Sequence, residues 1–386
     1  MSSSNTSSTG ILSVIIVVLL GALVTVSGLY IYQRAADYSP AQIEQPSDGA
    51  DFTASQVYEW RLVTTWPKNY PAIGLGPENF AKMVERMSNG RLIIQVYGAG
   101  EIVPALGVFD AVSNGSIEMG HGAAYYWKGK IPASTLFTTL PFGMNAQEVN
   151  GWIHYGGGLE LWRETYKPFG LIPFAGGNTG VQMAGWVNKE INSVEDLQGL
   201  KMRIPGLAGE VFTLAGGSSV TIPGGELYTS MQTGVIDATE WVGPYNDIAF
   251  GLHEVAEHYY YTGWHEPGPM LEFIVNEAKW NTLPADLQAI IGSAARVINH
   301  DVLDEYTAKN AIALQDLKSR YGIIPKPFPP EVLDYLREIA EQRYLDLAAQ
   351  DEQFSKVYSS YKTFLDSVSE YHEISEKWYY TSRSFN

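Results

Sequence analysis

The chain has 386 residues, 45% of them hydrophobic and 17% charged, which is enough to bury one large core or two and too apolar for a disordered chain. Its net charge of −17, with no basic stripe, excludes nucleic acid as a partner, because phosphate binding needs a basic surface. With no cysteine, disulfides, zinc–thiolate sites, iron–sulfur clusters and thiol nucleophiles are excluded too. Aromatic residues are plentiful (10 Trp, 24 Tyr), and such residues wall small-molecule clefts as well as filling cores.

Residues 1–10 form a polar tail without charge. Ile11 to Tyr32 follows as 22 residues free of charged side chains. A helix needs about 20 residues to cross a bilayer, whereas the apolar part of a signal peptide runs to about 7–15. The segment therefore predicts a transmembrane anchor. A cleaved signal is the alternative, with Val26-Ser-Gly28 a poor cleavage site. Residues 33–55, with Pro40, Pro46 and Gly49, read as a linker, and residues 56–386 as the folded domain.

Within that domain, Tyr58 to Thr65 reads as a strand. Gly76 to Ser88 reads as an amphipathic helix, with Phe80, Met83, Val84 and Met87 on one face, ended by Asn89-Gly90. A strand at Arg91–Tyr97, a helix at Pro104–Val112 and a short strand at Glu118–Gly122 continue the alternation, which predicts an α/β lobe with a largely parallel sheet. Asn178–Val187 and Thr262–Val275 read as glycine-bordered strands. Strand and helix signals at 194–203 and 225–234 lie between them. This pattern predicts a second α/β lobe inserted into the first, with hinge-crossing strands and a ligand cleft between the lobes. From Leu283 the chain reads as helical to about Arg320. A proline cluster at 325–330 interrupts it, and Glu331–Phe364 and a terminal stretch with Phe364, Val368, Tyr371 and Ile374 at helical spacing follow.

The chemically informative run is Asp237-Ala-Thr-Glu-Trp-Val-Gly-Pro-Tyr-Asn246, which puts Glu240 beside Trp241 in a stretch suited to a buried strand. A buried carboxylate needs a partner, either an arginine or a cation. Arg203, in Leu200-Lys-Met-Arg-Ile-Pro-Gly206, is the candidate arginine, and Glu266, in Gly263-Trp-His-Glu-Pro-Gly268, is a second candidate carboxylate. Tyr125-Tyr126-Trp127 follows a strand and suits a cleft wall. The seven histidines show no metal-ligand spacing and read as core or solvated residues. No nucleophile elbow, zinc helix or phosphate loop is present.

Several of these runs resemble the solute-receptor (DctP-like) subunits of tripartite ATP-independent periplasmic (TRAP) transporters. They are Glu101-Ile-Val-Pro-Ala105 with Phe109-Asp-Ala-Val112, Tyr125-Tyr-Trp-Lys-Gly-Lys130, Asn178-Thr-Gly-Val-Gln-Met183, Lys201-Met-Arg-Ile-Pro-Gly206 and Gly234 to Asn246. Gln182, Glu240-Trp241 and Trp264-His-Glu266 resemble the branch that binds 2-oxo or 2-hydroxy monocarboxylates together with a cation. The resemblance implies a two-lobed periplasmic-binding-protein-like fold with long C-terminal helices. It implies a receptor for a small monocarboxylate such as pyruvate or lactate, partnered by a TRAP permease and carrying no enzymatic activity. It assigns Arg203, Gln182, Tyr125, Tyr126, Asn178 and Glu266 to the ligand, and Gln182, Glu240, the Trp241 carbonyl and Glu266 to a sodium or calcium ion. All-oxygen donors suit such hard cations. It further implies a homodimer through the C-terminal helix, with packing of that apolar stripe on its own chain as the alternative. A membrane-tethered sensor and an organic-acid enzyme are the rival functions. The retained anchor would hold the receptor at the outer face of the cytoplasmic membrane.

Overall fold

The structure, a computed structural model, describes residues 56–383. The expected tail, anchor and linker (1–55) lie outside the described residues. Among the described residues no helix is long and apolar enough to cross a membrane.

Strands β1 (Tyr58–Thr64), β2 (Leu92–Tyr97) and β3 (Met119–Gly122) form where the sequence places them. Their alternating or wholly apolar patterns need one or two covered faces. With β4 (Leu171–Asn178) and β10 (Met270–Asn276) they build a five-stranded sheet of order β2-β1-β3-β10-β4. The sheet is mixed rather than largely parallel, because β10 runs antiparallel to both β3 and β4. β10 enters from the other lobe, so it arrives from the opposite direction.

The second sheet has the order β11-β9-β5-β8-β6-β7. It is made of β5 (Gly185–Val187), β6 (Lys201–Arg203), β7 (Ser218–Val220), β8 (Ala238–Thr239), β9 (His258–Tyr261) and β11 (Lys326–Pro327). Two expected strands prove to be strand plus crossing. The run 178–187 pairs only at its ends, and residues 179–184 carry the chain from β4 to β5. The run 262–275 begins as a loop, and residues 262–269 return the chain from β9 to β10. The crossings touch: the Gln182 amide donates to the Glu266 carbonyl at 3.1 Å. A Cβ at Gly263 would stand 2.0 Å from the Gln182 carbonyl oxygen, so only glycine allows this approach.

The helix Ala285–Arg320 spans 36 residues and buries Leu287, Ile291, Ala294, Ile298 and Val302 against the first lobe. Farther along it holds the second lobe, where Asn310 Oδ1 accepts from the Tyr245 amide at 3.0 Å. The expected helical region 331–364 is two helices, Pro330–Gln350 and Glu352–Ile374, broken at Asp351, whose carboxylate caps the second by accepting from the Phe354 amide at 2.7 Å. Of the terminal apolar stripe, Phe364 packs on its own chain beside Gly151 and Gly156, while Tyr371 and Ile374 are exposed.

Candidate functional site

The parallel strands β1, β3, β6 and β8 end at the interface of the lobes, and ligand sites of α/β sheets lie outside such carboxyl ends. Each supplies a wall. Trp66 follows β1, Tyr125 and Tyr126 lie on the turn Ala124–Trp127 after β3, Arg203 closes β6, and Glu240-Trp241 follows β8. The two crossings add Thr179, Gln182 and Glu266. All of these residues except Glu240, together with Ile73, Val242, Pro269 and Leu271, line a narrow cavity of about 20 Å³. Trp66, Ile73, Thr179 and Leu271 were not singled out from sequence. The signal for Trp66 was its place just past the carboxyl end of a strand.

Arg203 and Glu240 are both 1% exposed and form an ion pair through Arg203 Nη1 and Glu240 Oε1. Their pairing follows from register: β6 and β8 are parallel neighbours, with Arg203 opposite Thr239. Arg203 also donates from Nε to the Ile222 carbonyl at 3.1 Å, and its guanidinium lies 5.4 Å from the Trp241 ring centroid. Burial disfavours its charge, but the Glu240 carboxylate holds the group charged, above its ordinary range.

The second carboxylate has no such partner. Glu266 is 2% exposed, and burial pushes its carboxyl well above the usual range, reinforced by the negative charge of Glu240. Arg203, Tyr125 and Gln182 draw it part of the way back. One arginine thus faces two buried carboxylates. Gln182 donates from Nε2 to the Thr179 hydroxyl at 3.1 Å, while its Oε1 is buried without a hydrogen-bond partner. An orphaned amide oxygen beside an excess of carboxylate is a donor set that fits a hard cation.

Two sequence readings change here. Asn178 is fully buried but is absent from the cavity wall. Its Nδ2 donates to the Gly268 carbonyl at 3.0 Å and its Oδ1 accepts from the Gly180 amide at 2.8 Å, so its amide clamps one crossing to the other. His265, read from spacing as a core or solvated residue, joins the charged cluster: one ligand-type atom from each of Glu240, His265 and Glu266 lies within 4.8 Å of the others. Spacing missed it because Glu240 comes from a different segment, although its place next to Glu266 in the run Gly263-Trp-His-Glu-Pro-Gly268 was a usable signal. The structure brings Arg203, Gln182, Tyr125, Tyr126, Trp241 and Glu266 to one cavity, with Glu240 paired to Arg203 at its wall.

Residues 62–351 match the family model DctP, described as bacterial extracellular solute-binding protein, family 7. The chain is 43% identical, over 83% of its length and 87% of the relative's, to the monocarboxylate 2-oxoacid-binding periplasmic protein of Nostoc sp. (strain PCC 7120). It is also similar to the TRAP periplasmic solute-binding protein of Pseudoalteromonas atlantica T6c, solved with bound sodium and pyruvate. That match has a TM-score of 0.83 and 45% identity, covering 85% of this chain and 100% of that one. A counterpart from Colwellia psychrerythraea, solved with bound calcium and pyruvate, matches with a TM-score of 0.83 and 43% identity over the same shares.

Proposed function

The chain belongs to the DctP family, family 7 of the bacterial extracellular solute-binding proteins, and we propose that it captures pyruvate or a similar 2-oxo monocarboxylate with sodium or calcium for uptake by a TRAP permease. It is a binding protein and not an enzyme. One observation carries the reading of the site: a single buried arginine stands against two buried carboxylates and an orphaned amide oxygen at one cavity. An organic anion entering alone would bring another carboxylate to a site where one arginine already faces two. A cation entering with it removes the conflict, because it satisfies protein and ligand oxygens together.

In this reading Arg203 pairs with the ligand carboxylate through its planar fork. Gln182, Glu240, the Trp241 carbonyl and Glu266 offer oxygen to the cation, and Tyr125 and Tyr126 wall the ligand. Asn178 acts on the ligand only through the crossing segments that it clamps. Calorimetry with pyruvate and lactate, in sodium, in calcium and after exhaustive removal of both, tests the reading. Affinity is expected to depend on the cation; pyruvate affinity that survives cation removal sinks the reading.

We also infer that Ile11–Tyr32 tethers the receptor to the outer face of the cytoplasmic membrane, on the length of that charge-free run. Mass spectrometry of the mature N-terminus decides it, and a soluble chain that starts between Ser27 and Ser39 ends it. A homodimer through the C-terminal helices is supported by the exposure of Tyr371 (63%), Ile374 (76%) and Trp378 (70%) on them. Light scattering with and without the residues after Ser360 tests this; a monomer in both cases removes the dimer.

A further inference from the structure

His265 is fully buried, and neither of its ring nitrogens has a hydrogen-bond partner. An interior imidazole ordinarily satisfies one donor and one acceptor, so two orphaned nitrogens are a standing cost. Its Nε2 faces Oε2 of Glu240 at 3.5 Å, and this is the carboxylate oxygen that Arg203 leaves free. The separation is long for an N–H···O bond. A neutral imidazole presents a lone pair on one of its nitrogens, and a cation between it and Glu240 would give that lone pair and the free carboxylate oxygen a shared partner.

Bonds of about 2.0–2.2 Å to one small divalent ion would set neighbouring ligand atoms roughly 2.8–3.6 Å apart, the longer values belonging to tetrahedral geometry. The His265–Glu240 separation lies at the upper end of that range. Glu266 contributes a further oxygen within the same 4.8 Å cluster, and it also lines the cavity where Gln182 Oε1 is buried and unpaired. Sodium and calcium call for oxygen alone, so they give no reason for an unpartnered imidazole here. Two carboxylates with one imidazole form a donor set for manganese- or zinc-class ions.

We propose that His265 is a nitrogen ligand of the cation site, and that it extends the ions the receptor accepts from sodium and calcium to borderline divalent ions such as Mn²⁺ and Zn²⁺. The proposal rests on the reading above for the presence of a cation and goes beyond it in the ligand and in the class of metal. The competing account makes His265 a hydrogen-bonding neighbour of Glu240, a part that a glutamine amide could play from the Nε2 position.

The test uses the full chain, stripped of metal, as wild type and as His265→Gln. Each is titrated with MnCl₂, ZnCl₂ and CaCl₂ by calorimetry. The Mn²⁺-loaded wild type is also measured by pulsed electron paramagnetic resonance with ¹⁴N- and ¹⁵N-histidine. Mn²⁺ and Zn²⁺ affinities are expected to fall by about tenfold or more in the variant. Calcium affinity should change by less than about threefold, since calcium draws on the oxygen ligands alone. The wild-type Mn²⁺ spectrum should show a nitrogen coupling that changes with the histidine isotope. Equal Mn²⁺ and Zn²⁺ affinities in the two proteins overturn the proposal. So does Mn²⁺ that fails to bind, or that binds without histidine coupling, and this spectroscopic result needs no variant to fold. Histidine-coupled Mn²⁺ in a chain that binds no pyruvate with any cation would sink the receptor reading and leave His265 as a ligand. Calcium-dependent pyruvate binding without the coupling would do the reverse.

Discussion

The cleft and the lobe interiors both bury carboxylates, and they treat them in opposite ways. Inside the second lobe Asp247 accepts from Trp186 Nε1 at 2.9 Å, Tyr259 Oη at 2.7 Å and the amides of Val242 and Gly243 at 3.3 and 3.0 Å. Inside the first, Glu272 accepts from Trp127 Nε1 at 2.5 Å and Tyr166 Oη at 2.9 Å. Those acids are finished by the protein itself. In the cleft, Gln182 Oε1 and both nitrogens of His265 are left over, and Glu266 shares one arginine with Glu240. A satisfied buried acid is structural; an unsatisfied cluster around a cavity marks the place a ligand completes.

The sharpest way to break this contrast is to remove a satisfied acid. Asp247→Ala strands four donors in the interior and is expected to cost on the order of 3–5 kcal/mol of stability, read by urea unfolding of the ligand-free chain. A loss below about 1 kcal/mol would mean that Asp247 is no structural hub. Arg203→Lys should act in the opposite sense, on binding. It keeps the charge but loses the fork, so pyruvate affinity should drop by more than about tenfold in calorimetry. Ligand-free stability should change far less than for Asp247→Ala. Unchanged affinity would take Arg203 out of the ligand site.

Glu240→Gln should lower pyruvate affinity and the dependence on cation together, because one oxygen ligand loses its charge. Independent changes in the two would separate cation from ligand. The smallest effect is a pH response of the lobe interiors. Burial raises both Asp247 and Glu272 to about 7, although their Trp and Tyr donors pull them down. An acid whose folded pKa lies above its unfolded value of about 4 gives stability that is full below that value and lost as pH rises through about 7. His121 and His154, which burial lowers to about 4, work in the opposite sense over the lower part of the range, so the readout is a difference: between about pH 5 and 8 the ligand-free wild type is expected to lose a few degrees of melting temperature relative to Glu272→Gln. Parallel melting-temperature profiles in the two proteins over that range would contradict the assignment.

Much of the lobe architecture was legible because it rests on local periodicity. Tyr58–Thr64, Leu75–Met87 and the helix to Arg320 declare themselves through patterns of 2 and 3.6 residues. The crossings at 179–184 and 262–269 did not, since glycine-bordered apolar runs look like strands until their pairing partners are known. The antiparallel course of β10 was hidden for the same reason: direction belongs to the pair and not to the strand.

The sequence alone determined that Glu240 is an acid in a setting that demands a partner, that Arg203 is the basic residue suited to it, and that the chain carries the motifs of a monocarboxylate receptor. The first two follow from the cost of burying charge, and the third rests on resemblance to the TRAP solute receptors, both readable along one line. Only the tertiary structure decided which polar groups are spent and which are free. It used up the Asn178 amide on Gly180 and Gly268, left Gln182 Oε1 without a partner, and carried His265 against Glu240, 25 residues earlier in the chain. Hydrogen-bond satisfaction is a sum over neighbours in space, and the neighbours of the cleft come from two sheets and two crossings that meet only when the lobes are assembled.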